Sequence, residues 1–130
     1  MELNELRVLV EQDAQIDDTQ LDTESLRLPA LHNKYLNFYH DAKLRYEKAS
    51  NEYNRLYRLK WEYYTGKMDQ ETLDKKGWEP FQHNILKQDI PIFMNSDEDL
   101  CKRKEVITYI KSIVEYLEEV VKEITFRHTK

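Results

Sequence analysis

The chain has 130 residues, 35% of them charged and 40% hydrophobic, and a formal net charge of −5. That length suits one domain with a modest core, and the composition favours amphipathic helices with a single buried stripe over a thick all-round core. One cysteine, Cys101, excludes an internal disulfide framework and suits a reducing compartment. No apolar run approaches the ~20 residues that span a bilayer, and the start of the chain has neither a basic region nor a small-residue cleavage site. A soluble, intracellular protein with no membrane partner is expected.

Only two glycines, Gly66 and Gly77, and three prolines are present. Few turn formers over this length mean long elements. Residues 2–14 are expected to form a short helix with Leu3, Leu6, Leu9 and Val10 on one side. Residues 16–28 read as a connector with polar turn residues and room for one more helical turn. Pro29 then suits the first position of a helix, where its missing N–H costs nothing. No breaker follows until Gly66, which suits a helix C-terminus. Along this long helix Tyr35, Tyr39, Ala42, Tyr46, Ala49, Tyr53, Leu56, Lys60 and Tyr63 alternate by four and three. Such spacing marks a coiled-coil-like seam, here rich in tyrosine.

Residues 67–95 read as an irregular, acidic region carrying Trp78, Pro80, Phe81 and Pro91, with a short extended piece at 90–94. Ser96 is the expected cap of a final helix over 96–130, Asp99 imitating a capping box. In that helix Leu100, Ile107, Ile110, Val114, Leu117, Val121 and Ile124 keep a three-four spacing, and Val106, Ile113 and Val120 widen the stripe. The predicted fold is all-α: a single helical domain in which the long helix and the C-terminal helix form a coiled-coil-like hairpin with a short N-terminal helix. A stripe this wide exceeds what one antiparallel partner needs. Ile107, Ile110, Ile113, Val114, Leu117, Val120, Val121 and Ile124 are therefore candidates for contact between copies in a homo-oligomer, the alternative being core within one chain.

Little in the sequence resembles a reaction centre. Gly66-Lys67 stands alone without a phosphate-loop signature. His32, His40, His83 and His128 are scattered, with no cysteine or carboxylate at metal-ligand spacing. Asp97, Glu98 and Asp99 suit a helix N-terminus better than a metal site. Cys101 has no histidine in sequence reach and is expected to pack at the start of the last helix. No enzyme activity, metal or cofactor is expected.

Charge is distributed unevenly. Residues 1–33 hold eight acids against two bases, and residues 68–101 hold eight against three. Between them, residues 43–67 hold seven bases against three acids, and residues 102–130 hold seven against five. The densest segment runs from Arg55 to Lys67, where Arg55, Arg58, Lys60 and Lys67 interleave with Tyr57, Trp61, Tyr63 and Tyr64. Binders of single strands need cations for phosphates and flat rings for unstacked bases. Helical projection puts Tyr53, Leu56 and Tyr63 on the seam and Arg58 and Trp61 on a more exposed face. The candidate nucleic-acid-binding residues are Arg55, Arg58, Lys60, Trp61, Tyr64 and Lys67. A solvated charge face, with Arg58 and Glu62 as an i,i+4 pair and Trp61 packed, is the plainer reading.

Several segments, in order, resemble the UvsY family of tailed-phage recombination mediators. They are Ile16-Asp17-Asp18-Thr19-Gln20-Leu21; Glu24-Ser25-Leu26-Arg27-Leu28-Pro29 with Leu31-His32 and Lys34-Tyr35-Leu36; Lys60-Trp61-Glu62-Tyr63-Tyr64-Thr65-Gly66-Lys67; and Asp97-Glu98-Asp99-Leu100. The resemblance implies an oligomeric accessory protein in the cytoplasm of an infected bacterium. It would bind single-stranded DNA and help load a RecA-like phage recombinase onto DNA covered by the phage single-strand-binding protein. A basic pair before Tyr-Tyr-x-Gly carries DNA contacts in the family, and Arg58 and Lys60 occupy those positions in exchanged order. Relatives continue into a basic amphipathic tail with an aromatic anchor, whereas this sequence stops at Phe126-Arg127-His128-Thr129-Lys130. A DNA-independent helical assembly adaptor of a phage is the rival function.

Overall fold

The computed structural model describes residues 1–14, 21–81 and 85–129, with the backbone alone for 21–26 and 127–129. The described chain is helical: α1 (Leu3–Ala14), α2 (Leu21–Tyr64), α3 (Gln70–Lys76), α4 (Ile90–Ser96) and α5 (Glu98–Thr129), with a 3₁₀ turn at Lys87–Asp89. No described residue is in a strand. No described helix is long and apolar enough to cross a membrane. Two compact units are present, one of Met1–Glu47 with Thr108–Lys130, the other of Lys48–Ile107.

In the first unit the core consists of Leu6, Tyr35, Ala42, Ile113, Leu117, Val120 and Ile124, with Leu3, Leu9, Val10 and Phe38 packed around it. The expected apolar side of α1 thus faces α2 and α5. Asp13 secures the end of α1: its carboxylate accepts from Lys34 Nζ at 2.8 Å and from the Tyr35 hydroxyl at 2.7 Å. Arg27 donates to the main-chain oxygen of Asp13, a carbonyl left over at a helix end. At the opposite end the Tyr109 hydroxyl accepts from Leu3 N at 3.0 Å and donates to Glu2 at 2.5 Å.

The seam of α2 is where the spacing places it. Tyr35, Ala42 and Lys60 are buried, and Tyr39, Tyr46, Ala49, Tyr53, Leu56 and Tyr63 are half-buried. Its start differs from expectation: α2 begins at Leu21, and Pro29 lies inside it. A proline there forfeits one backbone bond, but the contacts of Arg27, Lys34 and Tyr35 with Asp13 tie both sides of it to α1, and tertiary contact overrides local preference. Ile16–Gln20 of the expected connector lie outside the described residues.

Two further expectations are corrected. Residues 90–94 are helical, not extended, because Pro91 falls in the first turn of α4, where no bond is lost. The cap of α5 is Asp97, not Ser96. Leu100 N donates to Asp97 Oδ1 at 2.9 Å, while the Ser96 hydroxyl bonds back to Ile92 O at 2.7 Å inside α4. The short α3 is bounded by Asp69, which accepts from Thr72 N, and by Gly77 in the left-handed region.

Candidate nucleic-acid interface

The end of α2 is built by its last turn. Gly66 adopts φ 74°, Gly66 N donates to Tyr63 O at 3.2 Å, and Lys67 N donates to Glu62 O at 2.8 Å. This paired closure is available to glycine without steric cost. It turns the chain so that the Lys67 ammonium sits 4.6 Å from the centroid of the Trp61 ring.

Beneath this turn lies a polar network in an aromatic shell. Lys60, 6% exposed, places its ammonium 3.2 Å from Asp97 and 2.9 Å from Asp99, and 4.1 Å from the centroid of Trp78. The Tyr64 hydroxyl donates to Asp97 Oδ2 at 2.6 Å. Burial alone would push the Asp97 carboxyl up. Hydrogen bonds from Tyr64, Leu100 N and Lys60 outweigh it and hold the carboxyl below its ordinary range. Burial, and then the bond to Asp97, push the Tyr64 phenol up. Around them, edge-to-face pairs link Tyr63 to Trp78 at 5.4 Å and Tyr64 to Phe81 at 5.0 Å, and Phe81 continues to Phe93 at 5.5 Å. The Tyr63 hydroxyl donates to Glu79 O at 2.6 Å. These contacts hold the 78–81 segment and α4 against the end of α2.

The outer face of α2 differs in character. Arg55, Arg58, Trp61 and Lys67 are exposed. The Arg58 side chain is 82% exposed, with Nε 3.3 Å from Glu62, so the anticipated i,i+4 pair exists without covering the guanidinium. Trp61 is 37% and Tyr57 44% exposed. Beside them a cavity of about 540 Å³ opens, walled by Trp61, Tyr57 and Phe81 and floored by Ile90, Pro91 and Met94.

The six residues singled out for nucleic acid therefore separate into two groups. Arg55, Arg58, Trp61 and Lys67 are exposed, with the Lys67 ammonium against the Trp61 ring. Lys60 and Tyr64 are engaged elsewhere: the ammonium of one is held by two carboxylates and the hydroxyl of the other by Asp97. The signal for Lys60 was its place on the tyrosine seam, where a cation must be paired. Tyr57, one of the interleaved rings, also lines the cavity, as does Lys87, whose position depends on the 3₁₀ turn and carries no signal in the sequence.

The residues considered for self-association divide similarly. Ile113, Leu117, Val120 and Ile124 belong to the core of the first unit, and Ile110 is 3% exposed. Ile107, Val114 and Val121, seven residues apart, are half-buried, and Val106 is 48% exposed. Among the described residues no group of His, Cys, Asp and Glu could hold a metal ion. Cys101 is exposed, its thiol 3.3 Å from Asn95 O. His32 is half-buried and His40 exposed. His83 and the side chain of His128 lie outside the described residues.

The described chain is all-α, and its long central helix ends in exposed basic and aromatic side chains of the kind that suit a polyanion. The family model described as recombination, repair and ssDNA binding protein UvsY matches residues 9–129, and the chain belongs to the UvsY family. No curated protein sequence matches it significantly. Among solved structures, the crystal structure of the bacteriophage T4 recombination mediator protein UvsY in lattice type II superposes with a TM-score of 0.86 at 20% identity, covering 99% of this chain and 89% of that one. The lattice type IV form gives 0.86 at 19%, covering 99% and 91%. Lattice type I gives 0.83 at 19%, covering 96% and 89%. At such identity the likeness establishes the shared fold.

Proposed function

We propose that this protein is a recombination mediator that binds single-stranded DNA as a homo-oligomer. Acting in the cytoplasm of an infected bacterium, it would help load a RecA-like phage recombinase onto DNA covered by a single-strand-binding protein. Membership of a family described as recombination, repair and ssDNA binding supports this. The observation that carries it is the accessible set Arg55, Arg58, Trp61 and Lys67 at the end of α2. Exposed cations and an exposed ring supply the two interactions a flexible polynucleotide needs, charge neutralisation and stacking.

Copies of the chain would associate through the half-buried row Ile107, Val114 and Val121 on α5, of which Val114 and Val121 also pack against the core of the first unit. Several weak sites on one assembly then act together through high effective concentration. Bending the strand across repeated sites would loosen a competing single-strand binder and favour recombinase nucleation. The acidic segments 1–33 and 68–101 would keep such an assembly soluble.

Fluorescence anisotropy of a labelled oligonucleotide, titrated across salt concentrations, tests the proposal. Binding should tolerate changes of sequence, prefer single strands, and weaken steeply with salt. A flat titration at low salt by an intact oligomer would overturn it in favour of a DNA-independent helical adaptor.

A further inference from the structure

We propose that the cavity beside Trp61 is a nucleobase pocket that takes bases of the bound single strand out of their stack, with Lys67 as a displaceable cover of the ring. The inference rests on the single-stranded-DNA function proposed above and goes further by assigning where the bases go. Its volume, about 540 Å³, falls within the roughly 300–1,000 Å³ of pockets that enclose small organic molecules. The walls are flat rings, Trp61 and Tyr57, on a partly apolar floor.

The lining selects for charge. Lys67 and Lys87 line the cavity, and none of the described lining residues is a carboxylate, although acids outnumber bases by 25 to 20 in the whole chain. The charged side chains that a phosphodiester meets among the described lining residues are both cations, whereas an acidic side of a helix would meet the same cations without needing the rings. Flat aromatic walls together with cations match a nucleotide: a base for the ring, a phosphate for the ammonium.

Lys67 connects the two. With its ammonium 4.6 Å from the Trp61 centroid, it covers one face of the indole by a cation–π contact. An incoming phosphate attracts that ammonium away, and the freed face accepts the base. No bond is made or broken; one stacking partner replaces another. Discrimination among bases should be weak. The Tyr64 and Thr65 hydroxyls, which could otherwise read base edges, are bonded to Asp97 and to Trp61 O, at 2.6 and 2.7 Å.

The test uses the full chain with two labelled strands of equal length, oligo-dT and a base-free strand of abasic spacers. Trp61→Ala should weaken oligo-dT binding about tenfold while leaving the base-free strand unchanged. Trp61→Phe, which keeps a ring and preserves folding by circular dichroism, should retain most of the affinity. In the unmodified protein oligo-dT should quench tryptophan emission, and Trp61→Phe, in which only Trp78 emits, should lose the quenching. An equal loss on both strands, no loss on either, or quenching that survives Trp61→Phe would each overturn the pocket. Salt-sensitive oligo-dT binding that persists in those cases leaves the DNA-binding function standing. Absence of binding to either strand at low salt overturns both.

Discussion

Lys60 and Asp97 form a buried ion pair, Nζ to Oδ2 at 3.2 Å, in which both side chains are less than a tenth exposed. The position that family resemblance assigns to a DNA contact is thereby given a different task. The lysine holds the end of α2 to the start of α5, whereas Arg55, Arg58 and Lys67 stay exposed.

Removing the lysine leaves Asp97 buried without its charge partner. Lys60→Met should therefore cost about 3 kcal/mol or more of stability, read from urea denaturation. Adding Asp97→Asn should recover much of the loss, since the amide still caps α5 and no charge is stranded. If Lys60→Met unfolds with the unmodified midpoint, the ion pair is not structural.

Arg58→Ala should behave in the opposite way. The guanidinium is mostly in water, and its pair with Glu62 contributes within about 0.5 kcal/mol to stability. Loss of one phosphate contact should lower the slope of log affinity against log salt by about 0.7 for a single strand. An unchanged slope would remove Arg58 from the interface.

Acid sensitivity follows from Asp97 and Asp13. Burial would raise each carboxyl, but hydrogen bonds from Tyr64 to Asp97 and from Lys34 and Tyr35 to Asp13 prevail, and both titrate below the ordinary 3.8. Groups depressed in the folded state stabilise it fully above their unfolded value, and the contribution fades as pH falls through the folded one. Urea midpoints should therefore be level down to about pH 5 and decline below about pH 4. Asp97→Asn should make that decline shallower.

The proposed self-association through α5 can be separated from folding. Leu117, 1% exposed in the core of the first unit, should cost about 2–5 kcal/mol when changed to Ala. Ile107→Glu, on the half-buried row and outside that core, should instead lower the sedimenting mass with a smaller effect on the urea midpoint. An unaltered mass would show that this row does not join copies.

Much of this fold was legible in periodicity. The tyrosine seam, the stop at Gly66 and the apolar rows of the last helix are local patterns, and each is found where the spacing puts it. The start of α2 was hidden because Pro29 mimics a first helical residue, while the contacts that carry the helix past it join Arg27, Lys34 and Tyr35 to Asp13, distant in sequence. Helix α4 was hidden because four apolar residues around a proline have no period. For the candidate interface, charge and rings located the segment, but not which members face water. That division depends on Asp97 and Asp99, more than thirty residues from Lys60, and on the ring cluster that Tyr63 and Tyr64 join.

The closure at Gly66 has an electrostatic consequence for the cavity beside it. Helix α2 ends there, so the negative pole of its peptide dipoles lies among residues that line the cavity and would by itself repel phosphate. The amides of Gly66, Lys67 and Met68 already engage the last-turn carbonyls of Tyr63 and Glu62, and the Lys67 ammonium stands just past them. A terminus of the wrong polarity for an anion is thus offset by the residues that end it. On the pocket proposed above, reversing the charge at position 67 should weaken strand binding more than neutralising any arginine on the outer face.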